Sequence, residues 1–183
     1  MKLKKQQNYA YIILLLLYLF VVFSFDKNMF VNNILTITLT GIVTVSVIII
    51  IKKYYQKYKK RKKYLNSKIH EIDKMTGLEF EELLSEFFKS QGYKVSLTKQ
   101  SNDYGADLIL QKNKSKIIVQ AKRYKNKVGN KAIQEVVASL KIYNATKGMV
   151  ITNSFYTKNA VNLANANNII LWDRNKLTEV FKV

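Results

Sequence analysis

Two uncharged stretches near the start of the chain limit its possible folds more than any other feature. Residues 9–25 (YAYIILLLLYLFVVFSF) carry no charge, and residues 30–51 form a second run broken only by Asn, Thr, Ser and Gly41. A bilayer core of about 30 Å takes roughly 20 apolar residues at helical rise, with about 17 as the lower limit. Both stretches meet that criterion. The first does not read as a cleaved leader, because "FVVFSFDKN" offers large residues where a cleavage site needs small ones. Two transmembrane helices are therefore expected at about 9–25 and 30–51, with a short turn near Asp26 and Asn28 between them. Lys2, Lys4 and Lys5 precede the first, and eight Lys and Arg with no acid lie between Lys52 and Lys63. Cations gather on the inner side of a membrane. The expectation is a multi-pass protein of the cell membrane, with its N-terminus and everything after residue 51 in the cytoplasm.

The formal charge of +19 is divided unevenly along the chain. Residues 52–74 read as a basic juxtamembrane helical linker, uninterrupted by Gly or Pro, with cations suited to anionic lipid. Its Tyr54, Tyr55, Tyr58 and Tyr64 are expected to act as interface anchors. From Tyr64 onward 19 Lys and Arg stand against 11 Asp and Glu. That excess suits a polyanionic partner, although solubility alone also explains charge of this kind. The chain has no Cys and a single His, His70, which sits in the linker beside Glu71. Thiol nucleophiles and Cys/His zinc sites are thereby excluded. Hydrolytic chemistry would have to come from carboxylates, lysine and a hard metal ion.

Residues 75–183 alternate helical and strand patterns in the order αβββαβαβα. Thr76 and Glu79 have the spacing of a capping box before a helix whose Leu83, Leu84, Phe87 and Phe88 make one apolar face, and Gly92 ends it. "YKVSLT", "ADLILQ" and "KIIVQAK" have strand character and are separated by the turns "SNDYG" and "KNKS". A helix at 129–143, a buried strand "GMVIT", a helix "TKNAVNLANANN", a strand "IILW" and a closing helix complete the domain. This order predicts an α/β fold, a central sheet flanked by helices, with functional groups at strand ends or at an open sheet edge.

One strand end carries the chemistry. "IIVQAK" runs apolar into Gln120, Ala121 and Lys122, and side chains two apart on a strand share a face. If the turn around Asn113 makes a hairpin, Asp107 falls beside that end. Taken singly, Asp107 reads as a turn residue and Lys122 as a solvated strand end. Together, the Asp107 carboxylate, the Gln120 amide oxygen and the Ala121 carbonyl are hard ligands of the kind Mg²⁺ accepts. Lys122 beside them suits the charge that develops when a phosphodiester is attacked.

The spacing of Glu81, Asp107 and Gln120-Ala121-Lys122 resembles the PD-(D/E)xK nuclease superfamily. Four blocks in order, "GLEFEELLSEFFKSQGYKV", "SNDYGADLIL", "VQAKRYKNKVGNKAIQEV" and "GMVITNSFYTKNAVNLANANNIILWD", resemble the catalytic domain of Mrr-type restriction endonucleases. The resemblance implies a restriction-endonuclease-like core, αβββαβ, and a Mg²⁺-dependent nuclease in which Mn²⁺ can substitute. It implies Asp107 as metal-binding acid, Lys122 as catalytic lysine, Gln120 at a position that is Glu in most of the superfamily, and Glu81 as the acid completing the metal shell. Glu79 and Glu82 compete for the last role; Glu79 also suits the cap, and Glu82 lies about 100° around the helix from Glu81. Asp103 and Gln134 match further positions of the family.

A membrane-anchored endonuclease acting on double-stranded DNA is the leading expectation, with Arg123, Lys125, Lys127 and Lys131 gripping the backbone and a homodimer needed for cutting both strands. The alternative is a DNA-binding module on the same tether that does not turn over. A membrane-surface assembly factor is a third reading, and it leaves Asp107 and Lys122 unexplained.

Overall fold

The computed structural model describes residues 30–98 and 104–181, together with Leu16. The chain divides into two compact units, one ending at Lys59 and the other beginning at Lys60. Helix α1 (Phe30–Leu65), most of which belongs to the first, is the one described helix long and apolar enough to cross a membrane. At 1.5 Å per residue its 36 residues span about 54 Å. It continues without a break from the apolar run into the cations. The predicted span at 9–25 and the turn after it lie outside the described residues, Leu16 apart.

The second unit is built on a five-stranded sheet in the order β1 (Lys94–Leu97), β2 (Leu108–Lys112), β3 (Ser115–Lys122), β4 (Lys147–Thr152) and β5 (Ile169–Trp172). The first three strands are antiparallel and the last three parallel. Asn113, at φ 55°, takes the left-handed turn conformation that closes the β2–β3 hairpin, and Leu108 stands opposite Val119. Asp107 is thereby placed beside Gln120, as the strand pattern predicts.

Helices cover both faces. Helix α3 (Gly77–Ser90) begins at the Thr76–Glu79 capping box, with Glu79 Oε2 accepting from the Thr76 N–H at 2.8 Å, and ends before Gly92 at φ 82°. Its Phe80, Leu83, Leu84 and Phe88 pack with Leu108, Leu110, Ile117, Val119 and Ala121, and with Leu177 of α6 (Arg174–Val180). On the other face α4 (Asn130–Ile142) and α5 (Lys158–Ala166) bury Ile133, Val136, Ala160 and Ala164 against Val150 and Ile169. Residues alternate along β3, so one face of the strand supports α3 and the other carries Gln120 and Lys122 toward α4.

The linker departs from its expected form. It breaks after α1, and a short helix α2 (Ile69–Ile72) follows, with His70 exposed. Tyr64, expected at a membrane interface, is buried in the core and donates to Glu82 Oε2 at 2.7 Å; Ile72 is fully buried. Lys60 and Arg61, expected near lipid, meet Glu82 at 2.6 Å and Glu86 at 3.5 Å. Half-buried carboxylates of α3 offer these cations partners within the protein, and the Tyr64 ring gains more by leaving water than by facing it. The compact unit consequently takes in residues 60–74 as well as 75–181.

Asp73 closes this arrangement. Its two oxygens accept from Arg174 Nη1 and Nη2 at 2.8 Å each, and Asn153 Nδ2 donates to Oδ1 at 2.9 Å. The Arg174 hydrogen bonds outweigh the cost of burial, so the Asp73 carboxyl sits below its ordinary value. A depressed acid contributes stability above its unfolded pKa, near 3.9, and loses that contribution as pH falls through the folded value. Arg174→Met is expected to cost about 1–3 kcal/mol at neutral pH. Urea unfolding at pH 7 and pH 3 checks this, the difference between variant and parent shrinking at the lower pH.

Candidate active site

The β2–β3 hairpin brings Asp107, Gln120, Ala121 and Lys122 together at one end of the sheet. Asp107 and Gln120 are both buried. Asp107 Oδ2 accepts from the Ala121 N–H at 2.6 Å and from Gln120 Nε2. The Asp107 N–H donates to Val119 O at 2.9 Å and the Thr98 N–H to Asp107 O at 3.0 Å, so the acid is pinned through its backbone on both sides. Because the Gln120 amide nitrogen faces the carboxylate, its oxygen Oε1 faces elsewhere, and among the described residues it is buried with no hydrogen-bond partner. A buried acceptor left unsatisfied costs about 1–3 kcal/mol, which marks the position as one where a donor or cation belongs.

Lys122 points to a residue absent from the sequence expectations. Its Nζ lies 2.9 Å from Glu135 Oε2 on α4, with both side chains mostly shielded. Gln134, which the family pattern singles out, is exposed on the same helix. One residue is about 100° of helix, so the crossing of α4 over β3 selects position 135. A signal was present: Glu135 is the one carboxylate on this helix, and it follows the apolar Ile133 that faces the core. Gly105 fixes the contact, at φ 84°, since a Cβ there would stand 2.7 Å from both the Cβ and the carbonyl oxygen of Glu135. Gly105, two residues before Asp107, thus lies directly on α4. Asp103 is outside the described residues.

The remaining candidates occupy different layers. Of the acids on α3, Glu79 closes the cap and Glu82 is engaged by Tyr64 and Lys60, whereas Glu81 is half-buried between them. Glu81 belongs to the helix that packs on the Val119 and Ala121 face of β3. Among the described residues no group of three or more His, Asp or Glu side chains comes together. Gln120 supplies oxygen there without charge. Arg123 is half-buried, Lys125 and Lys127 are exposed in the loop from β3 to α4, and Lys131 is exposed in the first turn of α4. A cleft of about 200 Å³ is lined by Lys122, Tyr124, Gly129, Lys131 and Glu135.

Fold and site together define a class, the restriction-endonuclease-like α/β domain. AspBHI, a DNA modification-dependent restriction endonuclease, is similar in fold, at 17% identity and a TM-score of 0.50, over 67% of this chain and 35% of that one. The Mrr catalytic-domain family, described as restriction endonuclease, matches residues 72–181, and the chain belongs to that family. Fainter likenesses are to MspJI restriction endonuclease in complex with a 27-mer oligonucleotide (18% identity, TM-score 0.43, 73% of this chain and 30% of that) and to the protein of unknown function AF1548 (13%, 0.45, 51% and 55%). The chain thus spans roughly a third to a half of these proteins' lengths. A search of curated proteins returned no match.

Burial tends to discharge Lys122, but the ion pair with Glu135, with the charges of Asp107 and Tyr124 adding to it, holds its pKa above the ordinary lysine value. A raised base contributes stability below its unfolded pKa, near 10.4, and loses it only as pH rises through the folded value. The Lys122 ¹³Cε resonance is expected to titrate at higher pH than the exposed lysines. Titration of Lys122 among them would show that the Glu135 pair does not hold in solution.

Proposed function

We propose that this chain is a metal-dependent endodeoxyribonuclease held at a membrane, which hydrolyses phosphodiester bonds in double-stranded DNA at the Asp107–Lys122 end of the sheet. The observation that carries the reading is the buried, unpartnered Gln120 Oε1 beside the fixed Asp107 carboxylate. An oxygen in that state accepts a cation readily, and the neighbouring donors are hard oxygens. Asp107, Gln120 and the Ala121 carbonyl are the residues proposed to hold Mg²⁺ or Mn²⁺; Glu81 lies on the helix that covers the opposite face of β3. Such an ion, when bound, polarises a phosphodiester oxygen and acidifies an attacking water.

The protein's own groups supply the rest. Lys122 stays an ammonium through neutral pH and stands where negative charge on the phosphate oxygens would be stabilised. Arg123, Lys125, Lys127 and Lys131 follow Lys122 in sequence and would meet the DNA backbone, contacts that fix register without reading sequence. The family's description as restriction endonuclease and the basic surface both support a DNA substrate. Cutting both strands calls for two such sites, hence a homodimer. The binding-module alternative fares worse: an acid buried beneath a basic surface repels phosphate unless a cation intervenes.

Helix α1 supports the membrane reading, since an apolar run of this length exposed to water is costly at about 25 cal/mol per Å². The cations that follow it support a cytoplasmic position for the nuclease domain.

The decisive measurement is plasmid cleavage by the full-length chain with Mg²⁺. Asp107→Ala and Lys122→Ala are each expected to reduce the rate by at least about 100-fold, while Lys122→Ala still binds DNA. Cleavage equal to the parent in either variant would sink the assignment, and no cleavage by the parent itself with either ion would favour the binding module. Membrane attachment is checked separately by alkaline carbonate extraction of cells, after which the chain is expected to stay with the membrane pellet.

A further inference from the structure

A second cleft, of about 410 Å³, opens at the same end of the sheet, and its lining includes Asp73, Tyr124, Lys125, Asn153, Phe155 and Arg174. β3 and β4 run parallel and end at Lys122 and Thr152, so the loops that leave them supply its walls side by side. Tyr124 also lines the cleft of Lys122 and Glu135, which makes the two hollows neighbours. Two residues of extended chain span at most about 7 Å, so a nucleotide next to a phosphate at Lys122 comes within reach of Tyr124.

Tyr124 and Phe155 leave 48% and 40% of their surface in water, whereas Phe87, Phe88 and Trp172 pack ring against ring. Their backbones are nonetheless fixed. The Tyr124 N–H donates to Asn153 Oδ1 at 2.8 Å, and the Val128 N–H to Phe155 O at 2.8 Å. Rings presented to water from a fixed backbone lose little freedom when a flat partner binds. The charge of the cleft selects that partner. Asp73 is taken by both terminal nitrogens of Arg174, which leaves Lys125 as excess positive charge on the lining. Aromatic rings beside a cation suit a nucleotide, the ring taking the base and the cation a phosphate.

We propose that this cleft receives one unstacked base of the DNA strand, from the nucleotide adjoining the phosphate to be cleaved, against Tyr124 and Phe155. The inference rests on reading this end of the sheet as a DNA-cleaving site. In an intact duplex the base faces cover one another and the grooves show only edges, so a protein ring stacks only on a base that has left the helix. The favoured substrate is therefore a duplex with an unpaired nucleotide at the cleaved bond.

Fluorescence anisotropy with the full-length chain in detergent, without divalent metal, compares three short labelled duplexes of one sequence. One is fully paired, one carries a single bulged adenine nucleotide, and one carries an abasic sugar in the bulge instead. The base bulge is expected to bind about tenfold more tightly than either of the others. Tyr124→Ala and Phe155→Ala are expected to remove most of that advantage, and Tyr124→Phe and Phe155→Tyr to keep it. An abasic bulge bound as tightly as the base bulge overturns the proposal, because bending of the duplex would then explain the preference. So does an equal loss on all three duplexes in the alanine variants, which would make the rings general contacts. Should the alanine variants fail to fold by circular dichroism, the abasic comparison on the parent decides alone. If the parent binds all three duplexes equally, the DNA reading stands and this inference alone fails. If it binds none of them up to about 100 μM at physiological salt, the DNA reading fails first and this inference falls with it.

Discussion

A single carboxylate oxygen ties together the end of the sheet that carries the candidate site. Asp107 Oδ2 takes the Ala121 N–H and the Gln120 amide at once, joining the start of β2 to the end of β3 beyond the ladder between them. The two bonds turn Gln120 so that its oxygen is left over, and they orient the strand end from which Lys122 leaves. Remove the acid and three groups lose their direction together. Charge-assisted bonds of this kind are about twice as strong as neutral ones, which is why one side chain can set so much geometry.

The rest of the second unit makes that end rigid. β3 is the central strand, antiparallel to β2 and parallel to β4, so its last residues are held from both sides. The Thr152 hydroxyl donates to Lys122 O at 2.7 Å, and Asn153 Oδ1 accepts from the Tyr124 N–H at 2.8 Å, extending the grip past the last ladder pair. Asn153 also reaches Asp73, and Arg174 donates both to Asp73 and to Asn153 O at 2.9 Å. One polar network therefore runs from the linker's short helix to the loop that leaves the active end. Disturbance of the linker near Asp73 has a short route to Tyr124.

Most of the fold is legible in the residues because the local signals agree with one another. The capping box, the apolar faces, the hairpin turn at Asn113 and the apolar runs of β3 and β4 each specify one element, and each element forms. Asp107, Gln120 and Lys122 could be placed together because a two-residue hairpin and a period of two leave no freedom in register. Glu135 could not be chosen over Gln134 in the same way. Helix phase relative to a strand depends on how α4 crosses β3, and that angle comes from core packing and from the close approach at Gly105, not from any local pattern. The linker shows the same limit: eight cations after an apolar run look like a lipid-facing stretch, and nothing nearby in sequence reveals that Glu82 and Glu86 lie within reach of Lys60 and Arg61.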